Sequence, residues 1–136
     1  MAEHVLVPGK RSDFVHGGNA VFTIVSAKTR KRFTFKARRP KGKDLSFVSL
    51  MDGPDNVNSY RLVGIIRAGK FFLIKREWAH RDAFSHKAIV WFMQFPESNA
   101  VDVYHSGTCG RCGRRLTVPE SIESGIGPEC AKKSKT

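Results

Sequence analysis

Residues 20–39, AVFTIVSAKTRKRFTFKARR, decide how this chain folds. The run divides into two extended segments, about 20–26 and 32–38, on either side of the polar turn AKTRK. β-branched and aromatic residues dominate both segments, and such runs bounded by turn residues read as paired strands. In the second, Phe33 and Phe35 alternate with Arg32, Thr34, Lys36 and Arg38. Successive side chains of a strand point to opposite faces. One face therefore enters a core while the other displays three positive charges in line, a half-buried sheet with a basic outer surface.

Downstream, RRPKGKD makes a basic loop and LSFVSLM a third strand, and MDGPDNVNS is rich in turn-forming residues. YRLVGIIRAGKFFLIKRE reads as a hairpin turning near Ala68-Gly69. Residues 20–76 together predict a five-stranded, mostly antiparallel sheet. In HRDAFSHKAIVWFMQF the period changes to that of a helix, with Phe84, Ala88, Trp91, Phe92 and Phe95 on one stripe, Asp82 a candidate N-cap and Pro96 the stop. A strand, VDVYH, leads from that helix into the tail, and residues 1–19, with Pro8-Gly9 and Gly17-Gly18, read as a loosely structured lead-in. The expected class is α+β: a small, mostly antiparallel five-stranded sheet with one packing helix, followed by a C-terminal zinc-knuckle, treble-clef-like module. The expected divisions are a lead-in over 1–19, a basic α+β domain over 20–100 and a zinc-binding module over 101–136.

A chain of 136 residues, 40% apolar with ten Phe and two Trp, has material for a real core. Its charge is lopsided. There are 24 Lys and Arg against 12 Asp and Glu, for a net +12, and residues 10–43 hold 11 basic residues against Asp13 alone. Such an excess points to polyanions or acidic protein surfaces as partners and says nothing about fold. No stretch approaches the roughly 18 apolar residues of a membrane span, and no signal-peptide pattern opens the sequence. The expectation is a cytoplasmic protein with no membrane partner, a monomer or homodimer.

The three cysteines all lie in the tail HSGTCGRCGRRLTVPESIESGIGPEC. Cys109-Gly-Arg-Cys112-Gly113 has the form of a zinc knuckle, in which two thiolates on a tight turn grip one Zn²⁺. Seventeen residues on, Cys130 follows the helix-start signal Gly127-Pro128-Glu129, where a thiolate is favoured. Between them, Thr117-Val-Pro-Glu120 reads as a capping box for a short helix through Ser121–Ser124 that stops at Gly125. A tetrahedral site needs four ligands, and His105, four residues before Cys109, is the candidate that completes Cys3His. Redox chemistry fits poorly because Gly110 and Gly113 bracket a turn and a third cysteine shares the constellation, and the His-x-Glu…Pro-Cys-x-x-Cys pattern of nucleobase deaminases is absent. A structural zinc is the favoured reading, with no enzymatic activity.

Cys109-Gly-Arg-Cys112-Gly113-Arg-Arg-Leu-Thr-Val-Pro-Glu-Ser121, followed by Gly125-Ile-Gly127-Pro128-Glu-Cys130, resembles a small domain of unknown function found in phage and actinobacterial proteins. The resemblance implies that Cys109, Cys112 and Cys130 are metal cysteines, with Arg114, Leu116, Thr117 and Ser121 in the surrounding frame. It supplies no fourth ligand. The whole chain is also similar to small phage-encoded proteins in which such a module follows a basic, β-rich part.

The functional expectation is nucleic-acid binding, DNA or RNA, through phosphate contacts from Arg32, Lys36, Arg38, Arg39, Lys41 and Lys43, extended by Arg111, Arg114 and Arg115 of the knuckle. Tyr60, Phe71 and Phe72 would add base stacking wherever they are exposed. The alternative is an interaction protein that docks on an acidic surface of a host defence or transcription complex.

Overall fold

The computed structural model describes residues 4–52, 60–117 and 119–127. The elements run β1 (His4–Val5), α1 (Arg11–Val15), β2 (Asn19–Ser26), β3 (Arg32–Arg38), β4 (Leu45–Met51), β5 (Tyr60–Arg67), β6 (Lys70–Leu73), α2 (Phe84–Gln94), β7 (Val101–His105) and α3 (Pro119–Ser124), with a 3₁₀ turn over Lys75–His80. The strands form one sheet in the order β1-β7-β2-β3-β4-β5-β6, every pair antiparallel. The turn-rich stretch after Met51 and the helix start expected around Cys130 lie largely or wholly outside the described residues.

The expected fold class needs correction. The strands read between 20 and 76 are β2 to β6, but the sheet has seven strands, not five, and no separate zinc module is seen among the described residues. VDVYH is not a lead into a detached tail. It pairs along the free edge of β2, from Phe22 opposite His105 to Ser26 opposite Val101. An unpaired edge exposes a row of N–H and C=O groups; β7 takes up those of β2, and β1 then pairs with β7. Alternation reveals which side chains face inward but not which strand lies alongside.

Ala20, Phe22 and Ile24 of β2, Phe35 and Ala37 of β3, Val48 and Leu50 of β4, and Val101 and Val103 of β7 make the buried face. Phe22 stacks on Phe35 with ring centroids 6.0 Å apart and meets Phe92 of α2 at 5.7 Å. The helix is turned from its expected phase. Its buried residues are His86, Ile89 and Phe92, while Phe84 and Phe95 are exposed, and Ala83 rather than Asp82 occupies the N-cap, without a side-chain bond. A polar residue enters the interior because it has partners. His86 Nε2 lies 3.0 Å from buried Glu77, which also meets Arg61 at 3.1 Å. Burial pushes the Glu77 carboxyl up, but the His86 hydrogen bond and the Arg61 and histidine charges outweigh this and hold it below its ordinary value.

Residues 4–19 are no loose lead-in. Leu6, Phe14 and Val15 are fully buried. The buried Arg11 guanidinium donates to the carbonyls of Leu6, Pro96, Ser98 and Val101. In return, the Glu97 carboxylate accepts the backbone N–H groups of Gly9, Arg11 and Ser12 at the start of α1. Such charge-assisted bonds are stronger than neutral ones, and here they bind the N-terminal segment to the connection between α2 and β7. Phe14 extends the same attachment into the tail. Its ring lies so close to Gly110 and Gly125 that a Cβ at either position would overlap it. Cys109, Leu116 and Ile126 belong to the same core cluster as the sheet. The boundary expected at 100/101 therefore does not separate two packing units.

Replacing Phe14 by Ala is expected to lower unfolding free energy by about 3–5 kcal/mol, read by urea denaturation. Amide exchange should rise in both the His105 end of β7 and the 109–116 turn, since both rest on this ring.

Candidate nucleic-acid interface and cysteine knuckle

On the outer face of β3, Arg32, Lys36 and Arg38 stand as the alternation requires, with Phe33, Phe35 and Ala37 turned inward. The strand register places their neighbours. Arg38 lies between Asn19 and Phe47, Lys36 between Val21 and Ser49, and Arg32 beside Val25. Asp102, the one carboxylate within the seven strands, lies across Val25 from Arg32 and is paired with Arg30 at 3.6 Å.

Two tyrosines flank this basic row. Tyr104 of β7 is opposite Thr23, which is opposite Thr34; the two threonine hydroxyls bond to each other at 2.8 Å. Tyr60 at the start of β5 is opposite Met51. The Arg32 guanidinium lies 5.9 Å from the Tyr104 ring centre, and Lys36 Nζ lies 5.6 Å from that of Tyr60. Both distances are within cation–π range. Burial raises the Tyr60 pKa, which keeps its phenol neutral. The space between is a half-open cleft of about 450 Å³ lined by Thr23, Arg32, Thr34, Met51, Tyr60 and Tyr104, with no acidic residue among the described residues of its wall. Phe71, one of the aromatics considered for stacking, instead faces the core, packed against Gly64 and partly buried, while Phe72 is half exposed on the outer face. Tyr104 was not singled out from the sequence. The signal was there in VDVYH, where Asp102 and Tyr104 alternate with three inward residues.

The remaining basic residues divide. Lys41 and Lys43 are exposed in the loop after β3. Arg39 bends back toward Gly18, to which it also donates a backbone bond, and its charge helps lower the His16 pKa after burial has begun to do so. Arg111, Arg114 and Arg115 are exposed on the cysteine turn. That turn is joined to the start of β2. Asn19 N–H donates to the Gly110 carbonyl at 2.7 Å, and the Asn19 side chain lies against Gly113. Since Asn19 is opposite Arg38, the knuckle stands at the same end of the sheet as Arg38 and Arg39.

The turn itself is compact. Cys109 N–H bonds to the Arg114 carbonyl, Gly113 N–H to the Cys109 carbonyl, and Thr108 bridges to Arg115. The buried Cys109 sulfur accepts N–H groups from Arg111 at 3.4 Å, Cys112 at 3.5 Å and Gly127 at 3.3 Å. Burial pushes the Cys109 thiol up, but these three amides and the Cys112 side chain outweigh it and bring its pKa to about 7. The sulfur sits in a cradle built for a thiolate, and Cys112 is exposed beside it. Cys130 lies outside the described residues.

His105, the expected fourth ligand, has both ring nitrogens engaged. Its side chain is buried; one ring nitrogen, Nε2, donates to the Ile122 carbonyl, and the other, Nδ1, accepts the Gly107 N–H at 3.0 Å. Among the described residues no three His, Cys, Asp or Glu side chains converge as a metal-binding group. As a ligand it would have to give up one of these bonds. Instead it ties α3 to β7, with its ring 5.5 Å from those of Phe14 and His4. α3 itself ends as expected at Gly125, whose φ of +73° suits glycine and whose N–H closes on the Ser121 carbonyl.

A family of unknown function, DUF6011, matches residues 100–135, roughly a quarter of the chain. The matched stretch begins at the border of β7, so it takes in one strand of the sheet together with the cysteine turn. No curated protein and no solved structure matches.

Burial lowers the His105 pKa more than the Ile122 bond raises it, so the imidazole folds neutral. The unfolded chain then takes up its proton first, and stability should fall as pH drops below about 6.5. Denaturation from pH 8 to 5 is expected to show a shallower slope for His105→Gln, with the rest of the dependence carried in part by His16.

Proposed function

We propose that this protein binds nucleic acid, DNA or RNA, mainly through phosphate contacts, and that one structural zinc ion holds its tail. The observation that carries the binding reading is the shared outward placement of Arg32, Lys36 and Arg38, with the knuckle arginines at the same end of the sheet. Lys41, Lys43 and Arg39 extend the charge along the β3–β4 loop. Phosphate contact of this kind is salt-dependent and largely blind to sequence. The protein acts as a binding module, not an enzyme.

The zinc reading rests on the Cys109 cradle. Amides aimed at a sulfur stabilise the thiolate that a metal needs, and Cys130 follows Gly127, which already donates to that sulfur, by only three residues. The fourth position falls to a group other than His105 as it now stands. Zinc there would clamp a tail that is short of apolar residues. The resemblance of the tail to phage and actinobacterial modules supports a phage-type protein working in a host cytoplasm.

A second reading has its own support. Phe47, Ile65 and Phe72 are aligned across β4, β5 and β6 on the outer face, and Phe72 is half exposed. An apolar row beside a basic one suits docking on an acidic host protein as well as on a polyanion.

Titration against duplex and single-stranded oligonucleotides at 50 and 200 mM salt separates the two. Roughly five phosphate contacts predict a log–log salt slope of about −3.5 to −4.5, and Lys36→Glu with Arg38→Glu should weaken all sequences alike and flatten that slope by about two units. No binding to either form at low salt would leave the protein-docking reading. Metal analysis of the purified protein is expected to find one zinc per chain, lost in Cys109→Ala and kept in His105→Ala. Zinc lost in His105→Ala while the fold stays intact would restore the histidine as ligand.

A further inference from the structure

The phosphate reading leaves the cleft between the two tyrosines unused. We infer that it is a seat for unpaired bases, and that the protein prefers single-stranded nucleic acid, with one base stacking on Tyr104 and another on Tyr60. This rests on the phosphate-binding reading and adds a base-recognition step to it.

Four observations converge. The cleft's volume, about 450 Å³, falls within the roughly 300–1,000 Å³ of small-ligand sites, whereas phosphate binding needs no concavity. Its floor is Thr23, Thr34 and Met51, uncharged side chains over which a flat ring can lie. Both tyrosines line it from a sheet face that no helix among the described residues covers: the helix residues that pack, Ile89 and Phe92 of α2 and Phe14 of α1, belong to the core on the other face. Each tyrosine also has a cation beside it, Arg32 at 5.9 Å and Lys36 at 5.6 Å, so the charge that would hold a phosphate lies next to the ring that would hold its base. Cation and aromatic placed together on a groove are the elements of sequence-tolerant single-strand binding.

Geometry sets how the strand would lie. Tyr104 on β7 and Tyr60 on β5 are separated by β2, β3 and β4, four strand spacings or about 19 Å. One base cannot touch both rings. The nucleic acid must therefore cross the strands, with one base at each tyrosine and the intervening backbone over Arg32 and Lys36. A duplex, whose bases are already stacked on each other, would reach the cations but not the tyrosines.

The test uses fluorescence anisotropy of the full chain with labelled dT15 and rU15, a 15-base-pair duplex, and a 15-mer of abasic sites that keeps the phosphates and removes the bases. The expected order is dT15 and rU15 tighter than the abasic strand. Tyr104→Leu and Tyr60→Leu should each weaken dT15 by about 5- to 150-fold, in line with about 1–3 kcal/mol for one stacked base, while leaving the duplex and abasic affinities within twofold. Tyr104→Phe and Tyr60→Phe should retain dT15 binding, which separates loss of stacking from loss of fold. Equal affinity for dT15 and the abasic strand, or leucine variants that behave as the parent, would overturn the stacking inference while leaving phosphate binding in place. No binding of any probe at 50 mM salt would remove both.

Discussion

Phe14 is the contact on which the rest of the structure depends. Its ring sits beneath Gly110 and Gly125, beside His105 and inside the sheet's core, so one side chain joins the N-terminal segment, β7, the cysteine turn and the end of α3. The glycines are part of this arrangement because neither position has room for a Cβ over the ring. Arg11, three residues earlier, secures the same helix through four backbone carbonyls. A buried guanidinium is stable only when its donors are met, and Leu6 together with Pro96, Ser98 and Val101 meets them.

This anchoring bears on the outer face as well. Because β7 is held against β2, Tyr104 lies in the same plane of side chains as Thr23 and the basic row of β3. Were the tail a separate module, as its cysteine pattern implies, that tyrosine would not border the cleft, and the knuckle arginines would not stand at the Arg38 end of the sheet. The cysteine turn thus contributes to the basic surface by position. Three backbone amides donate to the Cys109 sulfur, an arrangement of backbone alone.

The local elements were legible where side-chain period is decisive. Alternation in RFTFKAR follows from pleating, and β3 displays it: Phe35 and Ala37 buried, Arg32 and Arg38 exposed. The short helix ending at Gly125 was likewise readable, because proline and glycine mark helix limits chemically. What misled was partnership. VDVYH has the pattern of a strand, and nothing in five residues names β2 as its neighbour. Residues 1–19 look loose because Pro8, Gly9, Gly17 and Gly18 break local structure, yet Leu6 and Phe14 among them are buried and meet residues more than 80 positions away in sequence. His105 drew a metal role from spacing to Cys109, but a histidine's function depends on which atoms reach its two nitrogens, and those belong to Gly107 and Ile122.

By itself, the sequence determined the strands between Ala20 and Leu73, the helix over residues 84–94, the inward and outward sets on β3 and the concentration of positive charge in the first third of the chain. All are consequences of period and composition, which act within a few residues. Only the tertiary structure decided the seven-strand order, the burial of the N-terminal helix, the place of the cysteine turn beside Arg38, and the cleft between Tyr60 and Tyr104. Those depend on which edges pair and which rings meet across long stretches of chain, and hydrogen bonding and packing select them by fit rather than by pattern.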